Sequence, residues 1–355
     1  MIEQLSLAMR SVVRVAIAVT LFAATGPVPG AAKPVFPGAT WEKVDPVASG
    51  WSRAKLVAAR RYARDIRSTA VIIVQDGRVI ASWGDVAKKI EIHSVRKSFM
   101  SSLYGIAVAG RQIVLDRTLA ELAIDDKPPR LTAPEKRATV RDLLMARSGI
   151  YHQAAYETRT MEEERPARGS HPAGTFWFYN NWDFNALGTI LRNATGEDSF
   201  AAVERLIAHP IGMEDFAASD GNYVYDKASE HPAYTMRFSA RDLARFGWLY
   251  LNRGRWDGRT IVPAAWVAES TRSYSDARPG VGYGYLWWVS LKGKQFRTDT
   301  GPGGFSARGA GGQYIIVAPA RRIVVVHLND TEQSDKLASG AFAKLLQLIF
   351  AAAPP

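Results

Sequence analysis

Apolar positions along this chain change period several times, and the changes divide it into elements. The first apolar run is Val15 to Ala24, preceded by Arg10 and Arg14 and followed by the small residues Gly30-Ala31-Ala32. It has signal-peptide length and is too short to cross a bilayer as a mature helix. Residues 1–32 are therefore expected to be an export signal, and the pattern reads more cleanly from Met9. With no cysteine after the run, a lipoprotein anchor is excluded. A proline-punctuated lead-in reaches Gly50. A helix then runs from a Ser52 cap to about Ile66, with Leu56, Ala59, Tyr62 and Ala63 on one side. Ala70 to Val74 reads as a buried strand, Asp76-Gly77 as a hairpin turn and Val79 to Trp83 as the returning strand.

The next long apolar run, Phe99 to Val108, opens directly after His93-Ser94-Val95-Arg96-Lys97-Ser98 and ends near Gly110. From there helical periods dominate: Val140 to Met145, Asp183 to Thr195, Phe200 to His209, Arg241 to Arg253 and Pro263 to Thr271. Tyr151 to Arg168 is polar, carries Glu162-Glu163-Glu164 and reads as a mobile surface segment. After Tyr283 the pattern changes to strands, at Tyr285 to Val289, Tyr314 to Val317 and Ile323 to His327. Asp335 to Ala352 closes the chain as a helix. The simplest arrangement is α+β. One antiparallel sheet is built from both ends of the chain, about 45–114 and 276–355, with a mostly helical lobe at about 115–275. Residues 33–355 then form a single domain with a cleft between sheet and lobe.

Composition narrows the chemistry. The chain of 355 residues is 47% hydrophobic and contains 10 Trp, 13 Tyr and 14 Phe, more aromatics than a minimal core requires. The net charge of +11 is spread as pairs such as Arg60-Arg61, Lys88-Lys89 and Arg321-Arg322. That spread suits solubility or an anionic surface, and no nucleic-acid-binding motif accompanies it. There is no cysteine, so disulfides and thiolate chemistry are excluded. The six histidines show no ligand spacing, so no metal and no cofactor is expected.

Ser94 and Lys97 lie three apart, on one face of the helix that starts there. A desolvated lysine could take the serine's proton, and the helix terminus favours a developing negative charge. By composition S-x-x-K should occur about once in such a chain, so the pair needs company. Tyr179-Asn180-Asn181, beside the aromatic stretch Phe176-Trp177-Phe178, offers a phenol and an amide. A nearby lysine ammonium would lower the phenol's pKa. Gly309-Ala310-Gly311-Gly312-Gln313 leads into a late strand, where glycines permit close approach of a substrate. Strand N–H groups there could pair with that of Ser94 as an oxyanion hole.

S-x-x-K at a helix start, Y-x-N in the helical lobe and a glycine-rich third motif, in this order, resemble the serine β-lactamase and penicillin-binding-protein superfamily. The strings Leu143 to Gly149 and Leu187-Gly188 add to a likeness covering about residues 45–350. It is greatest to the class C-like branch of family VIII esterases, D-aminopeptidases and 6-aminohexanoate-dimer hydrolases. The resemblance implies a β-lactamase/transpeptidase-like fold. It makes Ser94 the acylated nucleophile, with Lys97 and Tyr179 sharing the general-base work. Asn181 would orient the substrate, and the N–H groups of Ser94 and Gln313, beside Gly311 and Gly312, would hold the oxyanion. Tyr151 and Trp177 are candidates for the substrate wall. Ala310 stands where the superfamily's third motif has a lysine, which favours an ester or linear amide over a penicillin. Arg308, on the same strand face as Ala310, is a possible substitute cation. The expectation is an exported, periplasmic or secreted serine hydrolase acting on a small-molecule ester or amide. It would bind no nucleic acid and would touch a membrane only through an uncleaved signal. A β-lactamase or D,D-peptidase of the cell wall is the alternative, and a catalytically weak sensor module on the same fold a further one.

Overall fold

The most apolar strands of the chain are buried on both faces, and that decides the architecture. In β1 (Ala70–Gln75) and β8 (Ile323–Leu328) nearly every residue is buried. Ala70, Ile72 and Val74 join one core cluster, while Val71 and Ile73 join another on the opposite face. Such strands need a helical layer on each side. The structure, a computed structural model, describes residues 34–333 and 336–355. The expected export signal at 1–32 lies outside the described residues.

The sheet has eight antiparallel strands in the order β2-β1-β8-β7-β6-β5-β4-β3. Here β2 is Arg78–Gly84, β3 Ser275–Arg278, β4 Val281–Tyr283, β5 Trp288–Ser290, β6 Phe305–Gly309 and β7 Gln313–Ala318. Both ends of the chain build it, with six late strands where the pattern showed three. The short strands β3 to β5 have too few residues to register a period. Asp76 and Gly77 both take positive φ, 51° and 81°, as a tight hairpin turn requires.

Helices α1 (Arg53–Asp65) and α7 (Ser339–Ala352) cover one face of the sheet, in the cluster of Trp51, Tyr314, Ile316 and Phe342. On the other face lies α2 (Arg96–Ala109), with the lobe helices α3 (Val140–Leu144), α4 (Asn181–Thr195), α5 (Ala240–Leu251) and α6 (Ala264–Ser270). Although α5 falls within the predicted lobe, it packs on the sheet itself. A Cβ on its Gly247 would lie 2.6 Å from Val324 Cγ1, so glycine sets that distance. Helix α2 is central. Phe99 stacks between Phe238 and Phe246, at centroid distances of 4.5 and 3.9 Å. Ser98 Oγ donates to Leu286 O, and Tyr104 OH donates to Leu187 O. These bonds satisfy the polar groups that burial would otherwise penalise.

The segment 151–168, expected to be mobile, is tied down. Arg165 pairs with Glu157, Arg168 with Glu135, and Asn185 Nδ2 donates to Ala155 O. Glu162 and Glu163 are solvated, and Glu163 pairs with Arg159.

Candidate active site

Ser94 lies in a single 3₁₀ turn, His93–Val95, at the entrance to α2. The turn is strained at His93, whose φ of 47° is unusual for a residue with a Cβ. Its ring is clamped from both sides. Nδ1 is 2.6 Å from Tyr156 OH and Nε2 is 2.8 Å from Thr331 Oγ1. Tyr156 OH donates to Glu91, so the phenol oxygen accepts from His93 Nδ1–H. Nε2 is then the acceptor for the Thr331 hydroxyl.

One turn on, Lys97 Nζ is 2.8 Å from Ser94 Oγ. Lys97 is only 1% exposed, and its ammonium position sits 4.6 Å from the ring centroids of both Tyr179 and Phe184. Among the described residues no carboxylate pairs with it. Burial, assisted by the Arg96 charge, holds its pKa well below the ordinary lysine value. A neutral amine beside a hydroxyl is a proton acceptor.

Tyr179 immediately precedes Asn180, the N-cap of α4. Asn180 Oδ1 accepts from Trp182 N, and its Nδ2 donates to Ile150 O and Asp183 Oδ1. That double anchorage fixes the phenol relative to Ser94. Its environment reverses one expectation. Burial pushes the Tyr179 pKa up to about 12, against smaller opposing effects of a hydrogen bond with Ser94 and the charges of Arg96 and Arg278. The lowering expected from Lys97 does not figure among these effects. A phenol with so high a pKa keeps its proton at neutral pH.

The other predicted residues divide. Asn181, 1% exposed, donates from Nδ2 to Tyr156 O, and its buried Oδ1 has no partner. Trp177 stands beside Tyr179, at 6.4 Å between centroids, and meets Tyr283 and Trp288. It also lines a cavity of about 650 Å³ with Glu164, Phe176, Tyr274 and Asp276. Tyr151 is buried edge-on against Phe178 and His171, with its hydroxyl 3.2 Å from His171 Nδ1. It supports the wall from behind.

The third motif requires correction. Gly311 and Gly312, with φ of 77° and 108°, make the turn between β6 and β7. A Cβ on either would meet Thr331 or Leu337 and Asn329, so they do not open a path for substrate. Gln313 is fully buried, and its side chain clamps Asn329 through Nε2 to O and N to Oε1. It lies opposite Gly309 inside the sheet, so its N–H is directed into the ladder and not toward Ser94. The residue that approaches the serine turn is Gly309, whose Cβ would fall 2.4 Å from Ile92 O. On the other edge, β6 pairs with β5 only through Phe305 and Ser306 among the described residues. Ser290 N donates to Gly304 O, so by strand alternation the N–H of Arg308 faces that free edge.

The side chain of Arg308 does not replace the missing lysine at Ala310. Its Nε donates to Ser306 Oγ, and its guanidinium lies 4.4 Å from the Phe296 centroid and 5.3 Å from that of Trp288. Burial lowers its pKa to about 10. Arg278 flanks Trp288 too, at 5.8 Å, and Trp288 stacks on Tyr179 at 5.4 Å. Neither Arg278 nor Trp288 carries a sequence signal, because distant short strands bring them here. Arg96 had one, as a charge at the mouth of an apolar run.

Residues 53–348 match the family described as Beta-lactamase. Solved structures share the fold. A protein assigned as a 6-aminohexanoate-dimer hydrolase from Bacillus anthracis is 20% identical, with a TM-score of 0.63 over 83% of this chain and 82% of its own. EstCE1, a hydrolase with promiscuous acyltransferase activity, is 16% identical, with a TM-score of 0.62 over 87% of this chain and 100% of its own. A penicillin-binding-protein homologue from Caulobacter crescentus is 15% identical, with a TM-score of 0.60 over 86% and 99%.

Proposed function

Because this chain belongs to the beta-lactamase family, we propose that it is a serine hydrolase cleaving an ester or linear amide through an acyl-Ser94 intermediate. The observation that carries the reading is the 2.8 Å contact between Ser94 Oγ and a wholly buried Lys97 amine, whose pKa burial holds well below the ordinary lysine value. In the first step Ser94 Oγ attacks the carbonyl carbon while its proton passes to Lys97 Nζ. The N–H of Ser94 and an N–H on the free edge of β6 are the groups assigned to the oxygen that gains charge. Tyr179 donates its phenolic proton to the departing alcohol or amine and recovers one from the Lys97 ammonium. Water, deprotonated by the same lysine, then releases the acid and frees Ser94. The 6-aminohexanoate-dimer hydrolase assignment and the EstCE1 hydrolase among the structural relatives support an amide or ester as substrate. No cofactor is invoked in these steps, the partner in this reading is a small-molecule ester or amide, and the apolar run at 15–24 supports export to the periplasm or beyond.

A second reading, a cell-wall β-lactamase or D,D-peptidase, is favoured by one feature: Arg278 sets a cation 5.8 Å from Trp288, which stacks on Tyr179. A serine-reactive fluorophosphonate tests the common step. The wild type should be labelled and Ser94→Ala should not; equal labelling of both, or none of either, refutes the nucleophile assignment. Relative rates on a short-chain nitrophenyl ester, an aminohexanoate dimer and a cephalosporin then separate the two readings.

A further inference from the structure

A buried arginine with no carboxylate partner is costly unless its charge is used. Arg96 is such a residue. It is 0% exposed, and its Nη1 donates to His93 O at 3.1 Å. Nε and Nη2 are buried without hydrogen-bond partners, and among the described residues Arg96 forms no ion pair. The guanidinium is instead sandwiched between two phenol rings, 5.1 Å from the centroid of Tyr156 and 5.3 Å from that of Tyr234. The nearby carboxylates are engaged elsewhere: Glu91 accepts from the Tyr156 hydroxyl and stands 3.6 Å from His93 Nδ1, and Glu332 pairs with Arg237.

We propose that Arg96 is a positioning residue of this site: its wholly buried, unpaired guanidinium, adjacent to Lys97 in the chain, is a fixed positive charge that adds to burial in setting how readily the Lys97 amine takes the Ser94 proton. The inference rests on the reading of Ser94 and Lys97 given above. The groups facing Lys97 are Ser94 from its own turn, Tyr179 and Phe184 from α4 and its approach, and Arg96. Among the described residues, Arg96 is the charged one that acts on Lys97. Those facing Arg96 are His93 and Glu91 on one side, Tyr156 from the pinned segment, and Tyr234 from the short strand Ala233–Phe238. A cation fixed in a site of low polarity disfavours a second cation nearby, so the ammonium form of Lys97 is disfavoured. In agreement, the Arg96 charge lowers the pKa of Lys97 and acts in the same sense on Tyr156, Tyr179 and Tyr234. The two aromatic faces hold the guanidinium without neutralising it, as a carboxylate would.

The test is the pH dependence of fluorophosphonate labelling of Ser94 in the full chain, between about pH 5 and 9, for wild type, Arg96→Lys, Arg96→Met and Arg96→Gln. Loss of the charge should move the acid limb upward by about one pH unit, which is tenfold slower labelling below the limb, with rates converging at high pH. Arg96→Lys should keep the wild-type limb. An unmoved limb in the neutral variants, or slowing by the same factor at every pH, overturns the inference. So does failure of both neutral variants to fold while Arg96→Lys folds, since the guanidinium is then a packing group. Lys97→Met labelled at the wild-type rate would instead remove Lys97 as the base, whatever Arg96 does.

Discussion

Replacing Gly309 with alanine should damage catalysis far more than stability. Gly309 ends β6 with backbone angles that alanine can adopt, so no torsional penalty arises. Its new Cβ would lie 2.4 Å from Ile92 O, a backbone atom that cannot rotate away, whereas ordinary contact begins near 3.4 Å. The strand end and the turn carrying Ser94 must therefore separate by about 1 Å (3.4 − 2.4). Overpacking of this kind costs about 1–3 kcal/mol, partly offset by about 0.4–1 kcal/mol from the stiffer unfolded chain. The separation falls between the two N–H groups assigned to the oxyanion, and misplacement of about 1 Å costs roughly 100-fold in rate. Gly312→Ala is the contrast. It meets only Leu337 and Asn329 side chains but must hold φ near 108°, so its cost of about 1–2 kcal/mol is one of stability. The assay pairs urea midpoints with the rate of Ser94 acylation by a nitrophenyl ester. Wild-type acylation by Gly309→Ala would refute the reasoning. So would a greater rate loss in Gly312→Ala at equal stability, which would return the glycine turn to the role of substrate platform.

Lys97→Met should abolish acylation, by at least 100-fold, while leaving the thermal midpoint unchanged or higher, because it removes a buried amine held for function; a lower midpoint with retained activity contradicts this. Tyr179→Phe should slow acylation at least tenfold, and most for substrates with poor leaving groups, because only those need the donated proton; equal loss with a nitrophenyl ester and an amide argues against a donor role. His327 is fully buried, donates from Nδ1 to Gly312 O and accepts at Nε2 from Ser68 Oγ, and burial lowers its pKa from 6.5 to about 4. The unfolded chain then binds a proton that the folded one refuses, so its contribution is complete above pH 6.5 and falls, by about 3 kcal/mol in all, as pH drops to about 4. Urea midpoints measured across that range should fall less steeply in His327→Gln; parallel slopes would remove His327 as the cause.

The elements that the sequence makes legible are those whose burial is continuous or periodic. The Ala70 to Val74 strand, the Asp76-Gly77 turn, the run after Ser98 and the Asp183 to Thr195 helix each carry their own signal. Ser94 and Lys97 are legible for the same reason, since three residues on one helix fix their distance. What escapes is whatever depends on backbone meeting backbone at long range. A run of glycines states that a Cβ is unwelcome but not which neighbour excludes it. Gly311 and Gly312 turn the chain, and only Gly309 is kept bare by the serine turn. Electrostatics escapes in the same way. An arginine between a serine and a lysine looks like a solvated charge until the fold encloses it between Tyr156 and Tyr234, from segments about 60 and 140 residues away. Burial, with the Arg96 charge, holds the Lys97 pKa well below its ordinary value, while burial, against the Arg96 charge, pushes that of Tyr179 up to about 12. Which of these groups holds a proton is thus set by which side chains the fold desolvates together, a property that no spacing of residues along the chain contains.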